Sequence, residues 1–219
     1  RTSGFLSAGL PRYIIGRMQP VREIDQIAPG ISIWQIYDAA VKADLFSTAL
    51  ESNGGLCLVD PIPLDPIAFE NFSFPPVSVF ITNMNHARAS TEFGQRFSVP
   101  IFAHHALLDH EEFPTFLGVE DGAVFAPRLT AIALPGGPAG EMALYYDRDG
   151  GTMVMGDALI NFEPQGFAPL PAKYCIDVKM LHRSLHKLLD YSFDRMLFAH
   201  GMPILSKARV RLEQVLAKG

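Results

Sequence analysis

The sequence predicts an α/β protein, a four-layer αββα sandwich in which two mixed sheets face each other with helices outside. Three observations carry that prediction. Short strand-like runs crowd residues 30 to 60 and again residues 120 to 157, a strand-helix-strand unit follows the first group, and a helix-strand-helix series closes the chain. Periodicity alone leaves a three-layer α/β arrangement open, so the motifs have to choose between them.

Gly4, Gly9, Pro11, Gly16 and Pro20 interrupt residues 1–29, which read as an N-terminal arm laid over a single domain of residues 30–219. From Gly30 the runs ISIWQIY, ADLFSTALE and GLCLVD form three consecutive antiparallel strands. The Asn53-Gly54-Gly55 cluster between the last two is a hairpin turn, because those residues tolerate positive φ. The prolines of DPIPLDP stop the sheet, Asp65 to Phe72 make a short helix, and VSVFIT is the next strand. A helix from Ser90, its expected N-cap, to Phe97 then leads to VPIFAH, a strand parallel to the previous one. Beyond Glu120 the strands are AVFAP, LTAIALP, EMALYYD and GTMVMGD, with Asp149-Gly150-Gly151 turning between the last two. Val178, Leu181, Leu185, Leu188 and Leu189 share one helix face, RMLFAH is a strand, and Leu212, Val215 and Leu216 give the last helix its buried side.

Composition excludes several classes. Hydrophobic residues make up 48% and charged residues 19%, a globular balance, and the formal net charge of −5 offers no general attraction to a phosphate backbone. No nucleic-acid partner is expected. No apolar run approaches the roughly 18 residues that cross a bilayer, so a soluble, cytoplasmic protein without membrane contact is expected. Cys57 and Cys175 are far apart in sequence and read as reduced, buried thiols.

Four landmarks occur in order: LVDP (58–61), a strand followed by Thr82 and the loop NMNHAR (83–88), LPGGPAGEMALYY (134–146) followed by MVMGDAL (153–159), and LFAHGMP (197–203). Their order and spacing resemble the metallo-β-lactamase superfamily over roughly residues 30 to 205, which implies the αββα fold and a metal site at the sandwich edge. The resemblance implies ligands from a His-x-His-x-Asp-His loop, a Pro-Gly-His segment, a bridging aspartate and a final histidine. Here Asn83 and Asn85 stand for the first two histidines, Ala87 for the aspartate, Arg88 for the next histidine, and Gly137 for the Pro-Gly-His ligand. Asp157 and His200 match, and Asp60 matches an acidic residue that supports the site.

A catalytic zinc needs about three protein donors and an open position. With two ligands in register the usual binuclear site is not expected, and neither metal nor other cofactor is expected in the leading reading. That reading is a hydrolase-like, metal-free cleft of Asp60, Asn83, Asn85, His86, Arg88, Glu141, Asp157 and His200, binding a small anionic or polar molecule or a partner. Arg88 would replace the metal electrostatically through a forked ion pair with Asp157, and Glu141 would sit on the cleft rim. The alternative is a zinc-dependent or other divalent-metal hydrolase of an ester, thioester or lactone, using His86, Asp157 and His200 as ligands and catalytic candidates. His86 falls one residue past the second ligand position, so it needs a rerouted loop to take part. A filled, structural cleft in a homo-oligomer is a third reading. His104, His105, His110, His182 and His186 have no convergent partner in the sequence pattern.

Overall fold

The structure, a computed structural model, describes residues 19–39, 41–110 and 113–218. Among the described residues there are fourteen strands and three α-helices. The first sheet contains β1 (Asp25–Ala28), β2 (Ile31–Asp38), β3 (Ala43–Ser52), β4 (Gly55–Val59), β5 (Pro76–Phe80), β6 (Ile101–His104) and β7 (Leu117–Val119), paired in chain order. Its first four strands are antiparallel and the rest are parallel. The turn into β4 uses Asn53 and Gly54 at φ 49° and 77°, the left-handed pair that a tight hairpin requires.

The second sheet runs β14-β11-β10-β9-β8, where β8 is Val124–Ala126, β9 Leu129–Ala133, β10 Met142–Tyr146, β11 Thr152–Met155 and β14 Arg195–Phe198. β14 lies parallel to β11, and the other pairs are antiparallel. A separate hairpin, β12 (Leu159–Phe162) with β13 (Gly166–Pro169), projects beside it.

Alternation along single strands shows why two sheets must stack. In β4, Cys57 and Val59 face a core that includes Phe80, Leu144 and Val154 between the sheets, while Leu56 and Leu58 face a second core. That second core holds Phe93 of α1 (Ser90–Phe97) and the 3-10 turn over residues 66–71. On the far side, Met153 and Met155 of β11 pack against Leu181 and Leu185 of α2 (Val178–Leu185) and Leu212 of α3 (Ala208–Leu216). The result is helix, sheet, sheet, helix, the four-layer order expected from the sequence. Among the described residues no helix is long and apolar enough to cross a membrane.

Four details differ from the sequence reading. The sheet starts at Asp25, inside the segment assigned to the arm, and residues 1–18 of that segment lie outside the described residues. β7 and the β12–β13 hairpin carry no apolar run longer than a few residues, so their pattern was too short to read as strand. Cys57 is buried, and burial pushes its thiol up to about 12, but Cys175 is only partly buried. Finally, Ser90 does not cap α1. Ala89 holds the N-cap position without a side-chain bond, and the Ser90 hydroxyl is buried with no hydrogen-bond partner among the described residues. A buried hydroxyl without a partner carries a desolvation cost of roughly 1–3 kcal/mol. Ser90→Ala is therefore expected to leave the melting temperature unchanged or raised, and a thermal melt showing a clear drop would reveal a stabilising bond to that hydroxyl.

Candidate functional site

The singled-out residues meet at one edge of the sandwich, where strands end. Asp60 follows β4, residues 82–88 follow β5, Asp157 follows β11 and His200 follows β14. β4 runs parallel to β5, and β11 to β14, so each pair presents its carboxyl ends together. Such ends are the usual location for a site in an α/β protein.

The rerouting that His86 needs is present. Asn83 is extended at φ −162°, and its Oδ1 accepts from Asn85 N–H at 2.8 Å, starting a 3-10 turn over Met84–His86. That turn swings His86 inward until it is 2% exposed. Its Nε2 lies 3.3 Å from His200 Nε2 and 3.3 Å from Asp157 Oδ1, and His200 Nε2 lies 3.4 Å from the same Oδ1. Charge-assisted hydrogen bonds close to about 2.7–2.9 Å, shorter than any of these. Three donors bound tetrahedrally about 2.0–2.1 Å from one ion stand about 3.3–3.4 Å apart. The near-equilateral triangle has that edge length, and two imidazoles with one carboxylate make a donor set suited to zinc, iron or manganese.

The back of the triangle is held firmly. His86 Nδ1 lies 2.9 Å from Asp60 Oδ2 and 2.8 Å from Thr82 Oγ1. Thr82 in turn donates its hydroxyl to Asp60 Oδ2 at 2.6 Å and its N–H to Asp60 Oδ1 at 2.8 Å. This network assigns a proton to His86 Nδ1 and turns Nε2 toward His200 and Asp157. Thr82 was only a landmark in the sequence, since nothing local marks a threonine after a strand as a clamp.

Asn83 performs a second holding task. Its Nδ2 donates to Glu141 Oε2 at 2.7 Å and to Asp157 Oδ2 at 3.1 Å, while Glu141 Oε1 accepts from Ala158 N–H at 2.8 Å. Asp157 thus gives one oxygen to the amide and the other to the histidines. Glu141 is not on the rim as expected but 3% exposed beneath the cleft. A Cβ on Gly137 would stand 2.8 Å from Glu141 Cγ, so the volume where a histidine would begin is already taken.

Electrostatics sort the protons. Burial disfavours a charged His86, yet Asp157 and Asp60 outweigh it and raise its pKa to about 9. Burial lowers His200 to about 4, with the His86 charge adding to the effect. Burial opposes ionisation of Asp157, but His86, His200 and Arg88 hold its carboxyl well below the usual range. Burial and the neighbouring Asp157 push Glu141 well above its ordinary value. Two imidazole nitrogens 3.3 Å apart disfavour two positive charges, so at most one of the rings is cationic beside the Asp157 carboxylate. A dication bound there would replace the proton of a cationic ring.

Arg88 takes a different role from the forked pair expected with Asp157. Its Nη1 donates to the carbonyls of Phe46 and Asp60 at 2.6 and 2.9 Å, and its Nη2 to that of Ala199 at 3.4 Å. The guanidinium ties the two sheets together behind the site while its charge still acts on Asp157. Asn85 lines the cleft, as do His86, Arg88, Asp157 and His200. His104 and His105 lie elsewhere, with His105 Nδ1 2.9 Å from Glu120 at the surface.

Comparison with known proteins agrees with this architecture. The family model described as the metallo-beta-lactamase superfamily matches residues 25–218, and the chain belongs to that superfamily. Among solved structures, a metallo-beta-lactamase from Pontibacter korlensis is 16% identical, with 90% of this chain and 99% of that chain covered and a TM-score of 0.71. A metallo-beta-lactamase family protein from Thermus thermophilus is 18% identical over 88% of this chain and 80% of that one, with a TM-score of 0.67. A metallo-beta-lactamase from Erythrobacter litoralis, solved with beta mercaptoethanol in its active site, is 13% identical over 90% and 96%, with a TM-score of 0.71. At these identities the likeness is one of fold. A search of curated proteins gives no match.

Proposed function

We propose that the chain is a hydrolase of an ester, thioester or lactone that works with a single divalent ion held by His86, Asp157 and His200. The observation that carries this reading is the triangle of 3.3, 3.3 and 3.4 Å. His86, Asp157 and His200 would hold such an ion, which would supply Lewis-acid chemistry toward an acyl carbonyl and a water. The protein's own residues do the positioning. Asp60 and Thr82 fix the tautomer and direction of His86, and Asn83 restrains Asp157 so that one oxygen faces the histidines.

The same contacts support a reading with one ion rather than two. The Asn83 amide lies between Glu141 and Asp157 as a neutral cross-link, and Asn83 and Glu141 are both buried. That amide bridges the two acidic side chains that a second cation would otherwise have to bridge, and it does so by hydrogen bonds alone.

Elemental analysis after equilibration with zinc, manganese or iron tests the reading. The expected result is one ion per chain, together with ester or lactone hydrolysis that a chelator abolishes. No uptake would instead favour the metal-free cleft that is the leading reading of the sequence, and two ions would refute the cross-link by Asn83. Asn83→Ala is expected to weaken ion affinity by about 10- to 100-fold, the range seen when a group orienting a ligand is lost. Competition against a coloured chelator measures it.

A further inference from the structure

The cleft above the triangle has a volume of about 520 Å³. Its lining is apolar along the walls, with Val41 and Leu45 on one side and Ile160, Phe162 and Leu170 on the other. Asp157 is the only carboxylate among its described lining residues, and the ion triangle already claims that group. Two further cations stand in the lining. Lys42 lies in the turn between β2 and β3, where its backbone is left-handed at φ 55°. Lys173 lies in the 3-10 turn over Ala172–Tyr174, with its ammonium 4.6 Å from the centroid of the Tyr174 ring. Neither lysine has an acidic partner among the described residues.

We infer that the substrate is an amphipathic anion: an acyl compound with an apolar chain and a carboxylate or phosphate group, bound through Lys42 and Lys173. This rests on the acyl-hydrolase reading above and narrows its substrate class. Complementarity is the reason. An apolar-walled cleft takes up a hydrocarbon chain, because burying each methylene is favourable by about 0.8 kcal/mol. An organic cation would meet Lys42, Lys173 and Arg88 at the cleft, with no acidic group spare to receive it among the described lining residues. A neutral ester would leave both ammonium groups without a partner. An anion would offer both an opposite charge, and the two lysines come from different segments of the chain that line the same cleft. The ammonium on the face of Tyr174 keeps part of its freedom to turn toward a ligand, since such a contact at an exposed site is worth only about 0.5–1 kcal/mol.

The test uses the full chain, stripped of ions with a chelator so that no probe can bind through a metal. Calorimetric titration with octanoate, octyl phosphate, 1-octanol and octyltrimethylammonium separates chain from charge. Octanoate or octyl phosphate is expected to bind about 10-fold more tightly than 1-octanol, a gain that shrinks as salt is raised. The tighter of the two identifies the anionic group. The ammonium compound is expected to bind weakest. The exposed pair K42E/K173E, checked for an unchanged melting temperature, is expected to reduce the anion affinity to that of 1-octanol. K42M/K173M, which keeps the apolar stems, is expected to do the same. Equal binding of octanol and octanoate, or anion binding that both double variants leave intact, overturns the inference. A chain that takes up one ion yet binds octanol as well as octanoate loses only the anion site. A chain that prefers octanoate but never takes up an ion keeps the anion site and loses the hydrolase reading.

Discussion

His86→Ala protein is expected to take up no ion under conditions in which the parent chain takes up one. His86 is one of three donors, and its Nε2 contributes two of the three edges of the triangle. The remaining pair, Asp157 and His200, gives two ligands where a catalytic zinc ordinarily has three from the protein. Loss of groups that merely orient a ligand costs about 10- to 100-fold in affinity, so loss of the ligand itself should exceed about 100-fold. Asp60→Asn makes the comparison sharper. It keeps the shape but places an amide against His86 Nδ1, 2.9 Å away, and it removes the carboxylate that receives the Nδ1 proton. Its expected penalty falls in the smaller range of about 10- to 100-fold. Isothermal titration with zinc ranks the variants. If His86→Ala bound as tightly as the parent, the ion would be held elsewhere and the triangle would be a hydrogen-bonded cluster.

Much of the fold could be read before the structure because its central strands are apolar runs bounded by turn residues. ADLFSTALE and GLCLVD declare themselves by composition, and Asn53-Gly54 announces the turn joining them by its need for positive φ. The β12–β13 hairpin did not, since its two four-residue strands carry no sustained period. The site was legible to a different extent. The residues that converge all stand out in the motifs, but their roles depended on backbone direction, which a motif register cannot supply. His86 lies one position past the expected ligand and reaches the triangle only because the 3-10 turn after Asn83 rotates it inward. Arg88 occupies a ligand's place in the sequence and points into main-chain carbonyls, because its own backbone is left-handed at φ 38°. Lys42 and Lys173 carried no sequence signal at all, as exposed lysines in turns are ordinary.

Arg88→Met is expected to lower stability by about 3 kcal/mol, since removing one partner of a buried polar group leaves the other uncompensated. Methionine keeps most of the apolar stem, so the change tests the guanidinium and not the packing. Arg88 is 7% exposed, and its N–H groups reach Phe46 in β3, Asp60 after β4 and Ala199 after β14. Two of those carbonyls belong to the first sheet and one to the second, so the loss loosens the seam beneath the triangle. For a domain of this size the drop amounts to about 6–12 °C in melting temperature. Arg88→Lys should recover only part of it, because one ammonium cannot reproduce a planar fork that reaches three acceptors. A double-mutant cycle with Asp157→Asn separates a structural tie from a charge role. If Arg88 served mainly to neutralise Asp157, the asparagine would rescue Arg88→Met. Additive losses are expected instead, because the carbonyls remain unpaired whether or not residue 157 is charged.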